Sequence, residues 1–337
     1  MNYFYSKHEI ERSDIETVND SLSQKILSQG KYKKKLETYI KNKFKVKYCL
    51  AVSSCTAALH LAYLALDLKK QDLVATSSLT WSAAVSTAMH CGAKVKTIDI
   101  NINTLNMDLN FFESYLKKTN KKPKIVCPVH YGGSPIDLRR LKHICSKYNV
   151  KILEDAAHAM GSKYNNEYIG NCNYSDITVF SMQPAKPITS GEGGLLLTNN
   201  KALYEKASAL SRHCAIKNIK YPWTQDILLP GYNYKISEIN CALGYSQIKK
   251  LDKFNKKREK LKKIYISKLS KVPGINFQEI LRNCKTSNHL FTVLLPKEIR
   301  YNKKIKIFKK LKNIGIHLTL KYLPLEMTKA YKNNEKK

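Results

Sequence analysis

Long apolar runs are missing from this sequence. No stretch approaches the roughly 20 apolar residues that a membrane-spanning helix requires, and the start MNYFYSKHEIERSDIE lacks the apolar core of a signal peptide. We therefore expect a cytoplasmic protein. Hydrophobic residues still make up 43% of the 337 residues, which argues against a disordered chain. The length suffices for one large domain and a smaller one.

Acidic residues are also scarce. Only 26 Asp and Glu accompany 59 Lys and Arg, so the formal net charge is +33. Such a charge would suit a nucleic-acid-binding surface or attraction to acidic membranes. The basic residues are spread along the chain, however, and the densest cluster, residues 249–263, places Leu251, Phe254 and Leu261 as on an amphipathic helix. We expect a solvated cationic surface, no membrane partner and no nucleic-acid partner, while anionic small substrates are compatible with it.

No C-x-x-C pair occurs among the cysteines. Zinc sites and disulfide frameworks both rely on such regular spacing. Scattered cysteines of this kind are better explained as reduced, mostly buried apolar side chains. We predict no metal site, and the scattered residues are Cys49, Cys55, Cys91, Cys127, Cys145, Cys172, Cys214, Cys241 and Cys284.

Short apolar runs alternate with helical patterns from residue 48 to about residue 200. Two helices precede them: one that a capping box from Ser13 to Glu16 would open, and one over YKKKLETYIKNKF. Apolar runs of this length between helices are typical of parallel strands covered on both faces. The pattern predicts a doubly wound α/β domain.

The pattern changes after residue 200. A long helical region runs from about 237 to 272, and NHLFTVLLP, KKIKIFKKLKNIG and IHLTLKYLP then read as strand, helix and strand. We predict a large domain over residues 1–246, including the amino-terminal helices, and a smaller α+β domain over residues 247–337.

Two polar stretches follow apolar runs where ligands bind in open α/β sheets, beyond the carboxyl ends of the strands. In SSCTAALHL a strand passes into a helix whose free N–H groups, with the Thr56 hydroxyl, suit an anion. An ordinary helix N-cap is the alternative. In ILEDAAHAMG, Asp155 follows an apolar run, where a carboxylate must pair with a cation or with N–H donors. A structural salt bridge or an N-cap is the alternative there.

Trp81 and Lys186 also follow predicted strands. Trp81 would stack on a planar ligand or belong to the core. Lys186 lies between Pro184 and Pro187, just before a glycine-rich turn. Prolines stiffen this loop, and burial would supply the neutral amine that a Schiff base requires. An anion site, a buried acid, a stacking ring and a confined lysine together fit pyridoxal phosphate.

The stretches EDAAHAMGSKYNNEYIG and SDITVFSMQPAKPITSGEGGLLLTN resemble the signature of the DegT/DnrJ/StrS sugar aminotransferases. The resemblance continues almost end to end, through GYNYKISEINCALGYSQIKKLD. NYFYSKHEI and FSMQPAKPIT resemble the subgroup that serves pseudaminic acid synthesis. The resemblance implies a pyridoxal-phosphate-dependent transferase of type I fold, like aspartate aminotransferase, with a large domain and a smaller α+β carboxy-terminal domain.

The resemblance also implies roles for individual residues. Lys186 would carry the cofactor as a Schiff base and then act as general acid and base. Asp155 would hold the pyridinium nitrogen protonated, and His158 would lie near the 3-hydroxyl. Trp81 would stack on the ring. The phosphate would be held by Thr56, the backbone at Cys55, Ser181 and, from the neighbouring subunit, Asn233.

Substrates and assembly follow from the same resemblance. The amino donor would be glutamate and the acceptor a nucleotide-linked 4-keto-6-deoxy sugar, UDP-linked in the subgroup, used for surface glycan or nonulosonic acid synthesis. Shared active sites would require a homodimer. Tyr3, Tyr5 and the loop YPWTQDILLPGY are candidates for substrate contacts.

The chain departs from the family pattern at a few positions. Cys55 and Cys214 stand where glycine is usual, and Lys235 stands where arginine is usual. Family chains continue past YLPLEMTKAYK for several dozen residues, whereas this one stops at Lys337, so we expect an incomplete small domain. Two alternatives stay open: a non-transaminating pyridoxal phosphate sugar enzyme, and a weakly active or regulatory protein with a basic nucleic-acid-binding surface.

Overall fold

The computed structural model describes residues 2–4 and 6–331 of the chain. Tyr5 and the last six residues of the predicted small domain therefore lie outside the described part. The helices are α1 (Arg12–Leu22), α2 (Lys31–Phe44), α3 (Cys55–Ala65), α4 (Ala83–His90), α5 (Leu109–Lys118), α6 (Leu138–Lys147), α7 (Lys201–Leu210), α8 (Glu238–Lys249), α9 (Leu251–Leu269) and α10 (Tyr301–Asn313). None of these helices is long and apolar enough to cross a membrane.

The strands alternate with these helices in the first two hundred residues and are shorter afterwards. They are β1 (Tyr48–Val52), β2 (Leu73–Ser77), β3 (Lys94–Ile98), β4 (Ile125–Cys127), β5 (Lys151–Asp155), β6 (Lys163–Tyr164), β7 (Glu167–Tyr168), β8 (Ile177–Ser181), β9 (Gly194–Thr198), β10 (Ala215–Lys217), β11 (Gln225–Ile227), β12 (Asn276–Phe277), β13 (Cys284–Lys285) and β14 (Val293–Leu294). Helices and strands therefore follow the predicted α/β order.

A seven-stranded sheet forms the centre of the fold, in the order β1-β9-β8-β5-β4-β2-β3. Neighbouring strands are parallel except β9, which is antiparallel to both β1 and β8. The parallel arrangement expected for the strands that alternate with helices therefore does not extend to β9. Parallel neighbours are usually joined by a crossover helix, whereas the loop from residue 182 to residue 193 that joins β8 to β9 contains no helix.

Apolar side chains cover both faces of this sheet. On one face Leu36 and Phe44 of α2, Phe112 of α5 and Leu141 of α6 are buried. On the other face, the buried side chains include Leu59 and Tyr63 of α3, Ala88 of α4 and Ala207 of α7. Burial of each large side chain contributes about 1.5–3 kcal/mol. The helices packed on the two faces therefore hold the central strands in place.

The predicted capping box at Ser13 and Glu16 is wrong. Helix α1 begins two residues earlier than predicted: Glu11 is its N-cap, and the Glu11 N–H donates to Asp14 Oδ2 at 2.8 Å. Asp14 is buried, and Lys250, which lies between α8 and α9, also binds its Oδ2 at 2.6 Å. A tertiary ion pair thus sets the start of the helix.

The carboxy-terminal part departs further from prediction. The predicted boundary between residues 246 and 247 falls within α8, and the division into two domains stays a prediction. Helices α8, α9 and α10 confirm the long helical region and the helix after it. The predicted strand over IHLTLKYLP does not form. Only Ile316 bridges Tyr3, and the remainder crosses the sheet's carboxyl edge, where the Leu325 N–H donates to the Ser78 carbonyl at 3.0 Å.

Candidate active site

Several functional side chains meet at the carboxyl edge of the central strands. Asp155 is the last residue of β5 and pairs with Val179 of the parallel strand β8, which ends at Ser181. Ser181 in turn pairs with Gly194 of β9, and Gly194 pairs with Val52 at the end of β1. The sheet register therefore places Asp155, Ser181 and the start of α3 along one edge.

A closed loop between β8 and β9 carries Lys186. The Lys186 N–H donates to the Gln183 carbonyl at 2.8 Å, and the base of the loop is closed by Met182 N–H to Gly193 O at 2.9 Å. Burial lowers the pKa of the Lys186 amine, and Lys321 lowers it further, while Cys55 and Asp155 oppose the shift. The confined setting predicted for this lysine is present.

Asp155 is only 5% exposed. Its Oδ1 accepts the Ala157 N–H at 3.0 Å. Burial raises the pKa of the Asp155 carboxyl, and the Ala157 N–H, Lys186 and His130 partly offset the rise. Among the described residues no cation lies within ion-pair distance of this carboxylate, so a structural salt bridge does not explain it.

His158 lies three residues beyond Asp155 and is equally buried. Its Nε2 is 3.0 Å from the hydroxyl of Tyr322. Burial lowers the pKa of His158 well below its usual value, and Lys186, His289 and Lys321 act in the same direction. The imidazole is thus neutral at neutral pH. Its Nδ1 is buried and has no hydrogen-bond partner within the described part of the chain.

Aromatic rings line the opposite side of this edge. The Tyr322 ring lies 6.1 Å from the His158 ring at an interplanar angle of 23° and 5.8 Å from the Trp81 ring at 51°. The Tyr131 ring meets Tyr322 edge-on at 6.3 Å. Trp81 is 63% exposed, which rules out the alternative that it belongs to the core.

The start of helix α3 completes the site. Ser54 is the N-cap and accepts the Ala57 N–H at 3.0 Å, which leaves the N–H groups of Cys55 and Thr56 without partners inside the helix. A Cβ on Gly194 would lie 2.3 Å from the Ser54 carbonyl oxygen and 2.5 Å from the Cys55 nitrogen. Only glycine therefore lets β9 approach this helix end so closely.

The residue that replaces a family glycine points into the same region. Cys55 is electrostatically coupled to both Asp155 and Lys186, and burial raises the pKa of its thiol well above the usual value. Ser181 is buried, whereas the Thr56 side chain is exposed. The structure therefore brings together seven of the predicted residues: Cys55, Thr56, Trp81, Asp155, His158, Ser181 and Lys186.

Asn233 lies apart from that group. It is exposed, and the neighbouring residue Tyr234 accepts the Ser53 N–H at 2.9 Å, so this stretch runs along the end of β1. Its contribution to a neighbouring subunit's site stays a prediction. Tyr3 is 61% exposed and pairs with the segment around Ile316, away from Lys186 in the described contacts.

Sequence reasoning missed several residues of the site. His289 packs on His158 with ring centroids 4.6 Å apart, and Lys321 and Tyr322 arrive on the segment predicted to be a strand. NHLFTVLLP and IHLTLKYLP are mainly apolar, and this pattern predicts strands rather than site residues. A polar or aromatic residue interrupting such a run, as in NHLF and LKYL, was the available signal.

Comparison with known proteins identifies this constellation. The sequence profile of the DegT/DnrJ/EryC1/StrS aminotransferase family matches residues 8–337. The chain belongs to this family. It is 36% identical over 328 residues to the UDP-4-amino-4,6-dideoxy-N-acetyl-beta-L-altrosamine transaminase of Campylobacter jejuni strain 81-176, a match that covers 97% of this chain and 85% of the relative. It is 30% identical to the spore coat polysaccharide biosynthesis protein SpsC of Bacillus subtilis, covering 98% of this chain and 86% of SpsC.

Solved structures agree with the family assignment. PseC of Helicobacter pylori, an aminotransferase of pseudaminic acid biosynthesis, superposes with a TM-score of 0.91 at 27% identity, covering 99% of this chain and 88% of PseC. Spr1654 of Streptococcus pneumoniae in its pyridoxal phosphate form superposes with a TM-score of 0.90 at 26% identity, over 99% and 88% of the two chains. The predictions of a type I fold, an aminotransferase and a pyridoxal phosphate cofactor are confirmed.

The residues at this edge fit that cofactor. None of the described residues forms an ion pair with the buried Asp155 carboxylate, and a protonated pyridine nitrogen would supply the missing cation. The unpaired His158 Nδ1 offers a hydrogen bond to a ring substituent. The N–H groups at the start of α3 suit the phosphate, and the Lys186 amine has the lowered pKa that bonding to an aldehyde requires.

Proposed function

We propose that this enzyme moves the amino group of glutamate to a nucleotide-linked 4-keto-6-deoxy sugar, UDP-linked, in the cytoplasm. The single observation that supports the chemistry best is that the half-buried Lys186 meets the buried Asp155 and His158 at one sheet edge. The substrate class rests on the names of the relatives, which include a UDP-sugar transaminase and GDP-perosamine synthase of Vibrio cholerae. The product would serve surface glycan or nonulosonic acid synthesis.

Lys186 and Asp155 divide the proton chemistry in this proposal. Bound pyridoxal phosphate supplies an electron sink that makes the Cα–H bond of an attached amino acid acidic. Because burial lowers the pKa of Lys186, its amine gives up a proton more readily than that of an exposed lysine, and Nζ would be the base that accepts the proton from Cα of the amino donor. Asp155, oriented by the Ala157 N–H at Oδ1, keeps its other oxygen for a ring N–H. Negative charge there favours the protonated ring nitrogen.

The remaining residues hold the cofactor in place. Cys55 and Thr56 would donate backbone N–H groups to the phosphate, and the hydroxyls of Thr56 and Ser181 would add further hydrogen bonds. Trp81 presents an exposed ring for stacking on the cofactor. His158, neutral because of its lowered pKa, would bind the 3-hydroxyl through Nδ1.

A homodimer with shared sites is part of the proposal. The strands β10 and β11 form a two-stranded hairpin whose tip exposes apolar side chains, with Ile219 98% and Trp223 81% exposed. Exposed apolar patches of this kind mark interaction surfaces. The hairpin continues directly into Asn233, so a second copy of the chain that covers the hairpin would bring Asn233 towards its own phosphate site.

Amino transfer can be measured directly. The purified enzyme is incubated with ¹⁵N-glutamate and a panel of UDP-, GDP- and dTDP-linked 4-keto-6-deoxy sugars, and the products are analysed by mass spectrometry. The proposal predicts ¹⁵N in a UDP-linked amino sugar and no transfer by the Lys186→Ala variant. Transfer to none of the sugars by a protein that retains pyridoxal phosphate would contradict the proposed substrate class.

A further inference from the structure

Arg258 joins helix α9 to the loop that carries Lys186. Its NH2 group donates to the carbonyl of Pro187, the residue directly after Lys186, at 2.8 Å. Guanidinium hydrogen bonds to a carbonyl are charge-assisted and geometrically strict because the donor group is planar. The position of the Lys186 main chain is therefore set by a side chain of α9 and not by its own loop alone.

Through Asn255, the same guanidinium is also linked to the loop that carries His158. Its NH1 group donates to Asn255 Oδ1 at 3.1 Å, and Asn255 Nδ2 donates to the Met160 carbonyl at 3.3 Å. The contact is close, because a Cβ on Gly161 would lie 2.4 Å from Asn255 Nδ2. Two hydrogen-bonded residues of α9, Arg258 and Asn255, thus connect the loops after β8 and β5, which hold Lys186 and His158.

Arg258 also contributes charge to the site. Burial lowers the pKa of His289, and Lys186, Arg258 and Lys321 lower it further. The described residues include no carboxylate within ion-pair distance of Arg258. Glu9 acts on the guanidinium only through its charge, whereas the described hydrogen bonds of Arg258 go to the Pro187 carbonyl of the Lys186 loop and to Asn255 of its own helix.

We propose that Arg258, acting with Asn255, is a positioning residue of the aminotransferase. It fixes the Pro187 carbonyl and so holds the Lys186 amine in its buried place beside Asp155, while Asn255 holds the loop of His158. The inference rests on the proposed role of Lys186 as the residue that carries the cofactor.

The test compares Arg258→Met, Arg258→Lys and Asn255→Ala with Lys256→Met, an exposed neighbour on α9 that serves as the control. The full chain, freed of cofactor, is labelled with a trace of acetic anhydride across a pH series, and acetylation of Lys186 is quantified by peptide mass spectrometry. Wild type and Lys256→Met should label Lys186 with a pKa below that of the exposed lysines. Arg258→Met should move this pKa back towards the ordinary lysine value, and Arg258→Lys, which keeps the charge and one donor, should move it less.

Kinetics of the loaded enzyme give the second measurement. A loosened lysine should lower kcat of Arg258→Met about 10- to 100-fold, since small misplacements of a catalytic group have effects of this size, and leave KM for glutamate nearly unchanged. Asn255→Ala should show a smaller loss of kcat. An unchanged Lys186 labelling profile in Arg258→Met, with kcat reduced only in proportion to unfolded protein, would overturn the inference. If wild-type Lys186 labels like a surface lysine, the proposed function itself fails.

Discussion

The hydroxyl of Tyr322 lies 3.0 Å from Nε2 of His158, although 164 positions separate the two residues. The contact ties the carboxy-terminal segment to the buried edge of the sheet, where Trp81 and Tyr131 also touch the Tyr322 ring. A residue far along the chain thereby becomes part of the wall of the proposed cofactor site.

Tyr322→Phe tests this contact. The substitution removes the hydroxyl but keeps the ring, so His158 Nε2 loses its partner inside the protein. An unsatisfied buried group costs about 1–3 kcal/mol, and we expect a loss of that size in the free energy of unfolding measured with urea. Tyr301→Phe, at an exposed position of α10, is the control and should change nothing. Equal free energies of unfolding for Tyr322→Phe and Tyr301→Phe would show that the hydrogen bond to His158 does not stabilise the protein.

Gly194→Ala tests the close approach of β9 to helix α3. The added Cβ would meet the Ser54 carbonyl oxygen at 2.3 Å, so the helix start must shift. We expect a destabilisation of about 1–3 kcal/mol and an at least tenfold weaker affinity for pyridoxal phosphate, followed by fluorescence titration. Gly244→Ala in α8, whose nearest atom would be the Ser190 Cβ at 3.2 Å, should keep the wild-type affinity. Unaltered cofactor affinity in Gly194→Ala would argue against a phosphate site at this helix end.

The histidine pair predicts the response to acid. His158 and His289 have pKa values lowered by burial well below the usual 6.5, so the folded protein binds fewer protons than the unfolded chain once the pH falls below that value. Stability therefore falls as the pH drops through 6.5, by at most about 1.4 kcal/mol per pH unit for each histidine. Urea unfolding of the cofactor-free protein should show a shallower fall for His289→Gln. Identical pH profiles for the two proteins would refute the assignment to this pair.

The hairpin of β10 and β11 predicts the assembly. Replacing the exposed Ile219 and Trp223 by serine should weaken self-association at least tenfold, as measured by sedimentation, because both side chains would leave an apolar interface. Ile102→Ser removes a side chain that is 67% exposed elsewhere and should leave the dimer intact. A monomeric wild-type protein with full activity would contradict shared active sites.

Much of the fold followed from local pattern. The alternation of apolar runs and helical segments predicted the sheet and its covering helices, because each short run is buried on both faces. The reversal of β9 goes with the connection from β8, a loop that contains no crossover helix. The start of α1 depends on the ion pair of Asp14 with Lys250, and such distant partners leave no periodic signal.

The site was predictable where it is continuous in sequence. Asp155 ends β5 and Lys186 lies in the loop that follows the neighbouring strand β8, so the sheet order brings both stretches to one edge. Tyr322, His289 and Arg258 reach the same edge from later segments by tertiary packing. The residues next to these three in the sequence are mostly apolar or basic, a composition that is common in many helices and strands. The local sequence therefore does not predict that these three side chains belong to the site.

The most direct measurement is to find which lysine bonds to the cofactor. The protein is incubated with pyridoxal phosphate, reduced with borohydride, digested and mapped by mass spectrometry, with inorganic phosphate as competitor. We predict one modification per chain, on Lys186, that phosphate suppresses and that Asp155→Asn weakens. Modification spread over surface lysines, with Lys186 unlabelled, would contradict the central claim that this buried amine carries the cofactor.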